Sequence, residues 1–256
     1  MADLTPASSP SSSGNPARLT AKILADRAAA AALSGPAVTA SQWIYRKSVV
    51  VATPANAASP VDVERWATAD NTVAAAYIDG QLEVGPWRWP VTPSGNTMKK
   101  PVTKPAMSYD SLSLLPSKPR ALVALLGKTP VSRARAWRPG HAFELIGELF
   151  QSYLMPPEAA ARIYHALGAI TGVTAHEHAA DVAGRHGTGF RFTGTGGTQE
   201  IIIDPRTHQF TGYQFLGDGR DIHADGAWGV AILDLAFVSG PGVRPHDLPE
   251  PGKHQA

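Results

Sequence analysis

The feature that most constrains the fold of this chain is the order of its hydrophobic periods. A block of period-two sequence precedes a block of helical period, a second period-two block follows it, and the two kinds do not alternate one by one. Regular strand–helix–strand alternation would build a parallel sheet with crossover helices. Runs of strands joined by short turns pair antiparallel instead, so the order predicts an α+β domain, an antiparallel and strongly curved sheet (a half-barrel) packed on several helices. In the first block, Gln42 to Val51 sets Trp43, Tyr45, Lys47 and Val49 against Ile44, Arg46, Ser48 and Val50. Val63 to Thr68 and Thr72 to Val84 continue the pattern, and Asp79-Gly80 is a two-residue hairpin signal. The second block, Val173 to Val182, Gly189 to Thr193, Glu200 to Asp204, Gln209 to Leu216 and Gly229 to Val238, reads as a meander.

The helical sequence has recognisable ends. Asn15-Pro16 starts an Ala-rich helix that Gly35-Pro36 stops, and its thin stripe of Leu19, Ile23 and Leu33 predicts a surface helix. Ser117 to Leu126 is closed by Gly127, with Leu122, Leu125 and Leu126 on one side. His141 to Leu154 places Phe143, Ile146, Phe150 and Tyr153 at helical spacing, and a further helix starts at Pro156-Pro157 and stops before Gly172.

Composition then sets the limits of the domain. Residues 1–16, rich in Ser and Pro, read as a flexible tether, and 239–256, with four prolines, as a flexible tail. A single domain is expected over 17–238, carrying a Pro-rich loop at 85–106. No apolar stretch approaches the ~20 residues of a membrane-spanning helix. The absence of cysteine excludes disulfides, thiolate nucleophiles and zinc-thiolate or iron–sulfur centres. The net charge of +2 conceals an asymmetry: residues 99–138 hold nine basic groups and one acid, or +8, while the rest of the chain holds 14 and 20, or −6.

Chemistry-bearing motifs are few. There is no Gly-x-Ser-x-Gly elbow, no His-Glu-x-x-His and no phosphate-loop lysine, so no catalytic residue and no cofactor is expected and the chain reads as a non-enzyme. His176 and His178 share one face of a strand by spacing, and with Asp181 or His186 across the hairpin they are the alternative reading, a metal-binding protein or metal-dependent enzyme. Asp218, Asp221 and Asp225 lack the spacing of a calcium loop, and Gly194 to Gly197 lacks the third glycine of a dinucleotide motif. The aromatic set Trp43, Tyr45, Trp66 and Tyr77 is the candidate lining of a cavity between sheet and helices; its bland alternative is core filling. Lys99, Lys100, Lys104, Arg133, Arg135 and Arg138 are the candidate surface for anionic lipid headgroups or an acidic protein partner, against the plainer reading of a solvated linker. Nucleic acid is excluded as a partner because only Tyr109 and Trp137 interleave with these charges.

Several segments, taken in order, resemble one large family. Leu112 to Leu126 (LSLLPSKPRALVALL), Phe143 to Ile170 (FELIGELFQSYLMPPEAAARIYHALGAI), Gly172 to Gly187 (GVTAHEHAADVAGRHG) and Ile202 to Gly212 (IIDPRTHQFTG) resemble the pattern of uncharacterised actinobacterial membrane-anchored proteins, often encoded near extracytoplasmic-function sigma factors. Gln42 to Val49 suits that family's first strand, and the likeness runs over roughly residues 18 to 216. The resemblance implies a lipoprotein-carrier (Lol-like) fold. It further implies a non-enzymatic extracytoplasmic module that holds a lipid-like ligand or a partner segment, in envelope signalling. A pure interaction domain is the other alternative. The family's transmembrane helix is missing here, so the expected location is outside the cytoplasm as the soluble part of an anchored protein, or the cytoplasm if Met1 is the true start. His208 stands where the family has a glycine in a turn that requires positive φ, which predicts strain or a different turn there. The oligomeric state is left open by the sequence.

Overall fold

The computed structural model of the chain describes residues 16–36, 38–52, 60–86, 109–128, 139–194, 197–216 and 227–247. Within them α1 (Pro16–Ala32) is followed by β1 (Trp43–Ala52), β2 (Val61–Thr68), β3 (Val73–Ile78) and β4 (Gln81–Pro86). Four helices follow: α2 (Tyr109–Ser113), α3 (Pro119–Lys128), α4 (Pro139–Ser152) and α5 (Pro157–Ala169). The chain then runs through β5 (Val173–Ala180), β6 (His186–Gly194), β7 (Gly197–Ile203), β8 (Phe210–Phe215) and β9 (Trp228–Val238) to a 3-10 turn, Pro245–Asp247.

The strands form one open, curved sheet in the order β4-β3-β2-β1-β9-β8-β7-β6-β5 with every neighbouring pair antiparallel, and the helices pack on it. The α+β expectation holds. Two consecutive meanders, β1–β4 and β5–β8, are joined when β9 inserts between β1 and β8. Asp79 and Gly80 both have positive φ, 50° and 79°, and close the β3–β4 hairpin as a primed turn with Ile78 opposite Gln81.

Alternation gives the sheet two unlike faces. On one, Phe190, Ile201, Ile203, Tyr213 and Val230 bury against Phe143, Ile146, Ile163 and Leu167 of α4 and α5, forming the main core. Gly147 makes that contact possible, because a Cβ there would lie 2.4 Å from the Tyr213 ring. The other face carries a smaller core around Tyr45, Trp66, Ala75 and Val238.

Three features differ from the sequence expectation. The buried stripe of α1 is Ala21, Ala25, Ala28 and Ala29, while Ile23 and Leu33 are exposed. Small side chains let α1 lie close on α5, where a Cβ at Gly168 would come 2.9 Å from the Ala25 methyl. The short helix α2 has no apolar repeat long enough to announce it, and Leu112 is its buried anchor. Residues 239–247 of the expected tail are packed onto the small core: the Trp66 indole N–H donates to the Val243 carbonyl at 2.6 Å and Arg244 pairs with Glu64.

Candidate functional site

The described helices cover the helix-bearing face unevenly. α4 lies on β6, β7 and β8 and α1 lies beside β5. Among the described residues of the same face, Val61 on β2, Ile78 on β3 and Leu235 on β9 are 36%, 39% and 48% exposed, while Ile44 and Ser48 of β1 are buried. Their placement follows from register: Val61 pairs with Val50, which packs on the main core, and Leu235 pairs with Arg46, which reaches α4.

Beside the end of α4 there is a small recess of about 20 Å³, room for about one water, lined by Ile44, Arg46, Arg65, Ala67, Asn71, Ser152 and Leu154. Arg46 and Arg65 are direct cross-strand partners. The Arg46 Nη1 donates to the carbonyl of Gln151 near the end of α4, which orients its guanidinium. Burial lowers Arg46 to about 10. Burial, reinforced by the charge of Arg46, lowers Arg65 to about 9. Both remain charged at neutral pH. Sequence reasoning passed over these two arginines because on an alternating strand they stand in line with ordinary polar positions; the signal was an Arg on the same face as Ile44 and Val50.

The expected cavity aromatics lie on the opposite face, away from the helices, and pack against one another. Tyr45 and Trp66 have ring centroids 5.3 Å apart, Trp66 and Tyr77 5.7 Å apart, and Trp43 packs against the same cluster. Arg244 lies over this set, its guanidinium carbon 5.9 Å from the Trp66 ring centre and 5.6 Å from that of Tyr77. Arg244 also forks onto Glu64, with Nε to Oε1 at 2.8 Å and Nη2 to Oε2 at 2.7 Å, and the Tyr45 hydroxyl donates to Glu64 Oε1 at 2.6 Å. The Arg244 hydrogen bonds hold the Glu64 carboxyl down at about 2. Burial, with the adjacent Glu64 carboxylate, raises the Tyr45 phenol. The four aromatics are thus brought together as a filled, capped cluster.

His176 lies on that face too. Its Nδ1 is 2.8 Å from Oε1 of Glu200 and 3.0 Å from Nη2 of Arg191. Glu200, 1% exposed, also accepts from Arg191 Nε at 2.6 Å and from Gln214 Nε2 at 2.7 Å. The register shift between His176 and Ala179 interrupts the alternation on which the His176/His178 pairing rests, and both Glu177 and His178 are exposed. Asp181 is turned to Arg185 and to the backbone amides of Ala183 and Arg185 instead. Among the described residues no three His, Asp or Glu side chains are grouped to hold a metal ion. What the geometry supplies here is a buried carboxylate tying four strands together.

Lys99, Lys100, Lys104, Arg133, Arg135 and Arg138 lie outside the described residues, as do Asp218, Asp221 and Asp225. No helix among the described residues is long and apolar enough to cross a membrane.

No family model matches the chain. No curated protein matches it. The actinobacterial family is therefore a resemblance of sequence segments alone. Among solved structures, the chain is similar to a domain assigned as an outer membrane lipoprotein-sorting protein from Vibrio parahaemolyticus, at 8% identity over 90% of this chain and 96% of that one, with a TM-score of 0.21. A score that low carries no argument about fold or ligand.

Proposed function

We propose that this chain is a non-enzymatic binding module that takes a lipid-like ligand on the exposed part of the helix-bearing face, over β2 and β3. One observation carries the reading: Val61, Ile78 and Leu235, on three strands, are exposed apolar side chains on the face that elsewhere floors the main core. Apolar side chains on the inner face of a sheet are normally covered, and uncovered ones mark a place for an apolar partner. An extracytoplasmic setting belongs to this proposal and is supported by the sequence resemblance.

The full chain titrated with the neutral apolar dye N-phenyl-1-naphthylamine is expected to enhance its fluorescence to saturation. The Leu235→Glu variant, whose new charge points from an already exposed position, is expected to lose the enhancement while keeping its circular dichroism. Native mass spectrometry of protein from its own host, with lipid extraction, is expected to show a bound lipid. A chain that is empty and does not enhance the dye overturns the reading.

A further inference from the structure

We infer that the second half of β9 is a strand-addition site: the edge of residues 232–238 turned away from β1 takes a single extended segment of a protein partner, apolar where it meets Leu235 and basic where it meets Asp234. Such a site recognises backbone rather than hydrocarbon and stands apart from the lipid-like ligand over β2 and β3.

β9 is central in the strand order, yet only its first part has a neighbour on both sides. β1 pairs with it from Trp228 to Val238, whereas β8 pairs only with residues 228–231. Leu233 is the extra residue where the β1–β9 register shifts, between the partners of Lys47 and Ser48, and such a bulge bends a strand and interrupts its ladder. β8 has a shift of its own: Ile202 faces Gly212 and Ile203 faces Phe210, and between them the Thr211 carbonyl accepts from Arg185 Nη2 at 3.1 Å. Arg185 is held in turn by the buried Asp181, at 2.7 Å. Side chains therefore hold β8 where it parts from β9. An antiparallel strand turns its N–H and C=O groups to its two edges in alternation, so 232–238 presents ladder groups that no described strand receives. Exposed ladder groups of this kind template a further strand.

Side chains select the partner. Leu233 and Leu235 are 37% and 48% exposed and Asp234 is exposed between them. Leu235 lies on the helix-bearing face, beside Arg46, and Asp234 on the other, beside Lys47. Lys47 pairs with Asp62 at 3.3 Å, and among the described residues Asp234 has no ion pair. A segment that alternates apolar, basic, apolar meets both faces at once. β8 flanks the gap at one end, which suits one added strand rather than the broad rim of a second sheet.

Fluorescence anisotropy of a labelled pentapeptide, Thr-Val-Lys-Val-Thr, titrated with the full chain tests this. Saturable binding is expected, with slowed hydrogen–deuterium exchange in 232–238. The same peptide N-methylated at its three central residues keeps every side chain and loses those backbone donors. It is expected to bind at least about tenfold more weakly. Thr-Val-Glu-Val-Thr is expected to bind about threefold more weakly. Asp234→Asn, a change at an exposed side chain, is expected to erase the Lys-over-Glu preference and to keep the N-methyl penalty. Absence of saturable binding, equal binding of the N-methylated peptide, or a Lys preference that survives Asp234→Asn overturns the site. So does exchange slowed at β4 or β5, the outer rims, and not in 232–238. Self-association that protects 232–238 without peptide would put a second copy there and overturns the single-segment partner. A chain that takes up N-phenyl-1-naphthylamine but no peptide overturns strand addition alone.

Discussion

At the residue scale, His208 carries φ of 57°, the left-handed conformation that its turn demands and that costs a side chain with a Cβ of order 1 kcal/mol. The turn is held by Asp204, whose Oδ1 accepts from the amides of Arg206 and Thr207 at 2.8 Å each. His208→Gly is therefore expected to stabilise the protein by about 0.5–1 kcal/mol, read as a melting temperature raised by a few degrees. The turn was legible in Asp204-Pro205-Arg206-Thr207, whereas strain or a different turn at His208 was what the family resemblance, with its glycine there, implied. Arg244 was not legible: its partner Glu64 lies 180 residues away, and no local pattern joins them. That pair fixes an acid dependence. The Glu64 carboxyl, held at about 2 against an ordinary 4.5, adds stability that is complete above pH 4.5 and is lost as pH falls from there toward 2. In Arg244→Ala the difference in melting temperature between pH 7 and pH 3 is expected to shrink.

At the scale of elements, the deciding contacts are close approaches that the hydrophobic pattern does not report. α4 was legible from its apolar repeat, yet its seat on the sheet depends on Gly147 against Tyr213. Gly147→Ala raises helix propensity by about 1 kcal/mol, but the added methyl would lie inside the ring contact, so net destabilisation of about 1–3 kcal/mol is expected in urea unfolding. The stripe of α1 was misread for a related reason: alanine counts little on a hydrophobic scale and much in helix–helix packing, where small size sets the separation. The register shift after His176 was likewise invisible in sequence, because period-two reading assumes an unbroken pleat. Glu200 sits where β5, β6, β7 and β8 share one buried carboxylate. Glu200→Ala removes the acceptor that His176, Arg191 and Gln214 share, and a loss of at least about 3 kcal/mol is expected from chemical denaturation.

At the scale of the whole molecule, the two faces divide the work. The small core on the far face depends on the segment after Val238, which supplies Val243 and Arg244 to Trp66 and Glu64. A chain ending at Val238 is expected to melt at a lower temperature and to expose Trp66, now fully buried, to acrylamide quenching. The fold class was readable because strand and helix blocks are long and separate. The candidate site was not, because it arises where two halves of the sheet meet and no single segment contains it. The insertion of β9 between β1 and β8 has one more consequence. Each meander can zip up locally as it emerges, but until the last strand is made both present an unsatisfied inner edge, and the pairing that closes them spans most of the chain. Assembly is thus committed only once β9 is made, so a nascent chain stalled before Trp228 is a pair of sticky half-sheets prone to joining the wrong neighbour, and a supplied β9 peptide is the piece that would complete it.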